Sequence, residues 1–330
     1  MDLSVVTTMY KSGQYVPEFH RRISAEARRL TTDYEIIFVN DGSPDESLDI
    51  ARRLGAADPH VKVIDLSRNY GHHRAMMCGI QHARGARVFL IDVDLEESPE
   101  ALGGLWSRMD ADPEIDVVVG QLEAKTVPFF KRLTSDLFYK AFNTFSSTTI
   151  SDRDIVSRLM NRPYVDALCG YGEREIFFPG VWVDAGFRQA RVPATKTFDG
   201  NSTYTLRKKM VMAVDAVTSF SSKPLIYIFY LGLLFSVGAS LFILYLVVRK
   251  VVGGQVFLGW TSLMAVLFFI GGIIIFSLGV VGIYVSKIFV EVKGRPQTVV
   301  RKIYIRGDAI AHPHPQRIET GGKLTHDIQP

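Results

Sequence analysis

Up to about residue 205 the chain alternates between two hydrophobic rhythms. Short apolar runs at Leu3–Thr7, Glu35–Val39, Val61–Leu66, Val88–Ile91 and Val117–Val119 have the length and β-branched content of buried strands, and helical patterns lie between them at about 15–50, 46–57 and 74–84. Strands alternating with helices predict an α/β fold, here a mainly parallel, doubly wound, Rossmann-like sheet. Such sheets bind ligands beyond the carboxyl ends of their strands, so the residues that follow each run are the first candidates for chemistry.

Past Lys223 the rhythm gives way to continuous apolarity. Pro224 to Val248 carries no charge and is long enough to cross the roughly 30 Å hydrocarbon layer of a bilayer. A second uncharged stretch runs from Val251 to Ser286, of which about 262–286 forms the span. Together they predict a transmembrane hairpin over 224–286; two buried helices of a soluble protein would be shorter and would show a polar face. Glycines at 271, 272, 279 and 282 permit close helix packing. Arg207, Lys208, Lys209 and Lys223 precede the first span and Lys287, Lys293, Arg295, Arg301 and Lys302 follow the second, against only Arg249 and Lys250 between them. The positive-inside bias therefore places both termini in the cytoplasm of a multi-pass protein of the cell inner membrane.

The expected organisation is a cytoplasmic domain at 1–205, an interfacial amphipathic helix at 206–223, the hairpin, and a cytoplasmic segment at 287–330 whose residues from Arg306 onward lack apolar periodicity and read as loosely ordered. Composition adds little to this picture. The overall 47% hydrophobic and 22% charged content averages two dissimilar halves, and a net charge of +4 without a basic block gives no reason to invoke a nucleic acid. Cys78 and Cys169 form neither a metal-ligand pattern nor a disulfide framework and suit a reducing compartment. Met1-Asp2 leads directly into a strand, so no cleavable leader is expected.

Three strand ends carry polar groups suited to a cleft: Thr8-Met9-Tyr10, Asn40-Asp41-Gly42-Ser43 and Asp92-Val93-Asp94. An Asp followed by Gly and Ser is also an ordinary turn. The Asp92/Asp94 pair is more informative, because an apolar strand delivers two carboxylates to one edge, where a hard divalent ion such as Mg²⁺ or Mn²⁺ on a diphosphate would satisfy them. Gly71, ahead of a helix at His72, could present backbone N–H groups to phosphate, with Arg68 adding charge. His72 and His73 read as helix-start residues rather than metal ligands, since no other His lies at useful spacing.

The strings EIIFVNDGSPDES, LSRNYGHHRAMMCGIQHARG and VFLIDVDLEESPE resemble the family 2 glycosyltransferases of the GT-A fold. The motif order and the two C-terminal spans are similar to bacterial polyprenyl-phosphate glycosyltransferases, relatives of dolichol-phosphate mannose synthase. The likeness continues through EREIFFPGVWVDAGFRQ, DAVTSFSSKPL and EVKGRPQ, and covers roughly residues 3 to 300. It implies a metal-dependent, inverting enzyme that moves a sugar from a nucleotide-sugar, by resemblance a UDP-sugar, to undecaprenyl or another polyprenyl phosphate at the cytoplasmic membrane face, in cell-envelope polysaccharide synthesis. A homotetramer is compatible with it. By the same resemblance Asp41 contacts the nucleoside, with Thr8, Tyr10 and Ser43 in the same pocket, Asp92 and Val93 lie beside the ribose or sugar, and Asp94 holds the metal. Arg174 would help order the donor or acceptor site, although a structural salt bridge fits it equally.

For an acceptor that is a lipid phosphate, Lys125, Lys131 and Arg132 are candidates to grip it. They adjoin Phe129, Phe130, Leu133, Leu137, Phe138, Phe142 and Phe145, whose spacing fits either a basic amphipathic helix on the membrane surface or a helix packed on the sheet. Another basic-apolar segment, Leu206 to Phe220, would tether the domain to the bilayer.

The chain departs from the family pattern in several places. Thr8-Met9-Tyr10-Lys11-Ser12 lacks the usual Pro, the usual DADLQ is DVDLE with Glu96 as an extra carboxylate, Val156 stands where relatives place an Asp proposed as base, and Thr197 holds the position of an Arg that Lys196 could replace. Two other readings are transfer to a different membrane acceptor, such as a lipid-linked saccharide, and an inactive membrane scaffold. The retained Asp41, Asp92 and Asp94 argue against the scaffold.

Overall fold

A computed structural model describes residues 1–122, 151, 153–195, 218, 221–252 and 259–310. Its centre is four parallel strands: β1 (Leu3–Met9), β2 (Tyr34–Asn40), β3 (Val61–Leu66) and β4 (Arg87–Leu90). Both faces of these strands are apolar, as expected of a sheet covered on both sides. Leu3, Val5, Ile36, Phe38, Val61 and Val63 point into one core; Val6, Ile37, Val39 and Ile64 point into the other. The first core is covered by α1 (Val16–Leu30), α2 (Ser47–Ala57) and α4 (Ala101–Asp110), the second by α3 (His72–His82), α5 (Arg162–Gly170) and α6 (Phe178–Asp184).

The helical pattern expected over 15–50 is interrupted by the strand expected at Glu35–Val39. Helix α1 stops at Leu30, and Tyr34–Asn40, fully buried with period-two alternation, is β2. Helix α2 falls where 46–57 predicts it, while α3 begins two residues before 74 because Gly71, at φ 97°, sets its N-terminal boundary.

The sheet is mixed rather than mainly parallel. Its order over the described residues is β7-β5-β6-β4-β1-β2-β3-β8-β9, with β5 (Val117–Leu122), β6 (Asp154–Asn161), β7 (Gln189–Ala194), β8 (Val300–Ile305) and β9 (Asp308–Ile310). The β4–β6, β5–β6, β3–β8 and β8–β9 pairings are antiparallel, and β5–β7 is parallel.

Helices α7 (Lys223–Val251) and α8 (Trp260–Val292) lie between β7 and β8 and cover the two uncharged stretches. Phe235 and Phe269 meet across them at 5.7 Å between ring centroids, and the Tyr284 hydroxyl donates to the Ser221 carbonyl at 2.6 Å. Among the described residues, Phe269–Val292 is long and apolar enough to cross a membrane, with a mean hydropathy of 2.3.

After α8 the chain returns to the sheet, where β8 pairs with β3 and Arg301 Nε bonds Asp65 at 2.8 Å. Part of the segment expected to be loose is therefore ordered: Arg306 and Gly307, at φ 54° and 79°, make the tight turn into β9. The proposed amphipathic stretch 129–145, most of 206–223, Lys196 and Thr197, and residues 311–330 lie outside the described residues.

Candidate active site at the carboxyl edge of the sheet

Because β4, β1 and β2 are adjacent and parallel, Asp92, Thr8 and Asp41 emerge on the same edge. The connection from β3 to β4 crosses over β2 and β1, so the crevice between β1 and β4 is the topological switch point, the usual binding position in open α/β sheets. Helix α3 delivers His72 into it. The Thr8 hydroxyl lies 3.0 Å from His72 Nδ1, and His72 Nε2 lies 3.3 Å from Asp92 Oδ1. A residue expected only to start a helix thus bridges two of the expected site residues; its partners stand in other strands, at no sequence spacing that would single it out.

Asp94, two positions on, accepts the Glu96 N–H at 3.0 Å across Leu95, which is held at φ 60°. A branched side chain in the left-handed region is costly, and such residues cluster where geometry is imposed for function. Lys11, at φ 55°, stands at the end of β1 on the same edge. Val93, expected beside the sugar, is 3% exposed and its side chain packs in the core. Glu97, 1% exposed, accepts the N–H groups of Val156 and Ser157 at 3.1 and 2.7 Å and ties the carboxylate loop to β6.

Asp41 is buried, and its two oxygens accept the N–H groups of Tyr70 and Gly71 at 2.7 and 3.0 Å. Those two amides, expected to face phosphate, are engaged by this carboxylate, which fixes the loop between β3 and α3. Gly42, at φ 61°, is required there: a Cβ would stand 2.4 Å from the Arg68 carbonyl carbon. Burial pushes the Asp41 carboxyl above its ordinary range, against the pull of the two amides and of Arg68. Asp45 moves the opposite way. Burial would raise it, but hydrogen bonds from the Ser43 and Ser47 hydroxyls and from the N–H groups of Gly13 and Ser47 hold it at about 2.

Ser43 also accepts the Lys11 N–H at 2.7 Å, joining the ends of β1 and β2. Tyr10 is exposed on the rim beneath the Lys11 ammonium. Arg68 stacks on Tyr70 and lines a pocket that also contains Arg174. Lys125, Lys131 and Arg132 lie outside the described residues.

On β6, Val156 holds no acid, and Asp154 is taken by an ion pair with Arg191 at 3.0 Å. The fully buried Arg158 donates to the carbonyls of Ile155 and Val156 and stacks on Trp182, and burial lowers its guanidinium to about 10. It therefore stays charged at neutral pH.

Among the described residues no three His, Cys, Asp or Glu side chains gather as a metal cage. The Asp92/Asp94 pair nevertheless fits a divalent ion, because Mg²⁺ commonly takes one or two protein carboxylates and completes its shell with water and substrate phosphates.

A family model described as Glycosyl transferase family 2 matches residues 4–169. A Mycobacterium tuberculosis protein whose name places it among glycosyltransferases is 41% identical over 326 residues, 99% of this chain and 94% of the relative. The uncharacterized glycosyltransferase YkcC of Bacillus subtilis is 32% identical over 91% of this chain and 94% of its own. The SfII prophage-derived bactoprenol glucosyl transferase of Shigella flexneri is 30% identical over 92% of this chain and 98% of its own.

Proposed function

The chain belongs to glycosyl transferase family 2 and is a glycosyltransferase, and on that footing we propose that it moves a sugar, with inversion, from a UDP-sugar to polyprenyl phosphate at the cytoplasmic face of a membrane. The observation that carries this reading is the convergence of Asp92, Asp94, Thr8 and His72 at the switch point of the sheet. The name of the Shigella flexneri relative supports a polyprenyl acceptor, as do two long apolar helices flanked by basic residues. In this reading α7 and α8 both cross the bilayer and both termini are cytoplasmic.

Asp94, with Asp92 beside it, would hold Mg²⁺ or Mn²⁺. The ion supplies neutralisation of the charge that grows on the departing nucleoside diphosphate. The protein's own groups do the rest. His72 Nε2 stands 3.3 Å from Asp92 Oδ1, where the protonated ring would pair with the carboxylate, and its Nδ1 is oriented by the Thr8 hydroxyl. Asp41 clamps the Tyr70–Gly71 backbone and so shapes the nucleoside side of the crevice. A lipid phosphate, with a second pKa of about 6, is largely ionised near neutral pH and needs no strong base.

The test is incubation of the purified full chain in detergent with radiolabelled UDP-sugars and undecaprenyl phosphate. A lipid-extractable sugar phosphate is expected with at least one donor. Donor binding without any lipid product across the panel would overturn the polyprenyl acceptor.

A further inference from the structure

We propose that Arg68, Arg74, Arg174, Lys293 and Arg295 form a binding pocket for the phosphate of a membrane lipid at the foot of α8, a site distinct from the Asp92/Asp94 carboxylates. The proposal rests on the membrane-face reading above for the source of its ligand, while the phosphate chemistry follows from the pocket itself.

The five cations line one open cavity of about 380 Å³, together with apolar atoms of Phe289 and Val299. None of the five is ion-paired with a carboxylate among the described residues. Arg68 donates to the Asn69 carbonyl and stacks on Tyr70, Arg74 Nε donates to the Arg174 carbonyl at 3.0 Å, and Lys293 lies over the Phe289 ring. The nearby Lys287 behaves differently: it meets Glu175 at 3.5 Å. Glu291 is directed to the Arg174 backbone N–H, at 2.7 Å. Like charges gathered at one cavity repel, and an anion removes that cost while using the forked geometry with which Arg grips phosphate.

The placement of the pocket names the lipid. Its walls come from the β3–α3 loop and α3, from the segment at 174, and from the chain just after α8. The last turns of α8, with Phe289 and Val292 61% and 80% exposed, end the stretch apolar enough to cross a membrane. A headgroup in the pocket would therefore have its apolar tail alongside α8. It would also touch Arg68 and Tyr70, on the loop that Asp41 clamps, which connects lipid occupancy to the donor side of the crevice.

The experiment compares the full chain in uncharged detergent with the Lys293→Ala/Arg295→Ala double variant, whose side chains are exposed and whose folding is checked by thermal unfolding. Native mass spectrometry reads the fraction bound to undecaprenyl phosphate, to phosphatidylglycerol and to inorganic phosphate, with UDP binding as the control. At least a tenfold loss of lipid-phosphate binding with unchanged UDP binding is expected. Loss confined to undecaprenyl phosphate identifies the acceptor's phosphate as the occupant, and equal loss with phosphatidylglycerol identifies a bulk membrane headgroup. Unchanged lipid binding in the variant, or wild-type binding of inorganic phosphate as tight as of either lipid, overturns the proposal. The pocket and the transferase reading fail separately: lipid binding that depends on Lys293 and Arg295 without any sugar transfer keeps the first and sinks the second, and the converse result does the reverse.

Discussion

The two charged regions that meet at the β3–α3 loop satisfy their charges in opposite ways. At the carboxyl edge the acids face groups of the fold: Asp41 accepts from two amides, Asp94 accepts from the Glu96 amide, and Asp92 lies 3.3 Å from His72 Nε2. At the foot of α8 the cations converge without a carboxylate in ion-pair contact among the described residues. The first region is built to present fixed carboxylates, and the second to wait for an anion. Arg158 shows the third possibility, a cation buried for structure alone, satisfied by carbonyls and an aromatic face.

That contrast can be broken at several points. Arg158→Ala should be the most damaging, since it leaves buried carbonyls unmatched and a cavity beside Trp182; a loss of about 3 kcal/mol in denaturant unfolding is expected, and a loss under 1 kcal/mol would remove it from the structural class. Asp92→Asn should lower turnover about 100-fold with melting temperature unchanged. His72→Gln should lower it about tenfold, and the double variant should be no worse than Asp92→Asn alone, because His72 acts through Asp92; additive losses in a double-mutant cycle would contradict that coupling.

The smallest effect is a pH dependence. Asp45, depressed to about 2, binds its proton less readily when folded than when unfolded, so its stabilising contribution is present above its ordinary value of 3.8 and disappears as pH falls from there towards 2. The difference in melting temperature between wild type and Asp45→Asn should therefore shrink across that window. A constant difference would contradict the hydrogen-bond assignment.

The parallel centre of the fold was legible because Leu3–Met9, Tyr34–Asn40 and Val61–Leu66 bury both faces and read as apolar runs. The carboxyl ends of β1, β2 and β4, the last an apolar run at Val88–Ile91, placed Thr8, Asp41 and Asp92 on one edge. The antiparallel additions were not legible. Strand β8, Val300–Ile305, carries Arg301 and Lys302 on a half-exposed margin and pairs with β3 from more than two hundred residues away, which no local period records. His72 escaped for a related reason, since its meaning lies in Thr8 and Asp92 on neighbouring strands. The basic pocket draws on three distant segments; Arg174 and Arg68 were expected at the site, whereas Lys293 and Arg295 were read only as charges flanking a span.

The central claim is that the carboxylates of this edge, with a divalent ion, carry sugar transfer to a lipid phosphate. Its most direct test is the initial rate of lipid-linked product formation by wild type and Asp94→Asn, each with and without added Mn²⁺, alongside thermal unfolding of both. The expected result is a rate in wild type that requires the ion and falls by about 1,000-fold in Asp94→Asn at unchanged stability. A variant that still responds to Mn²⁺ at near wild-type rate would contradict it.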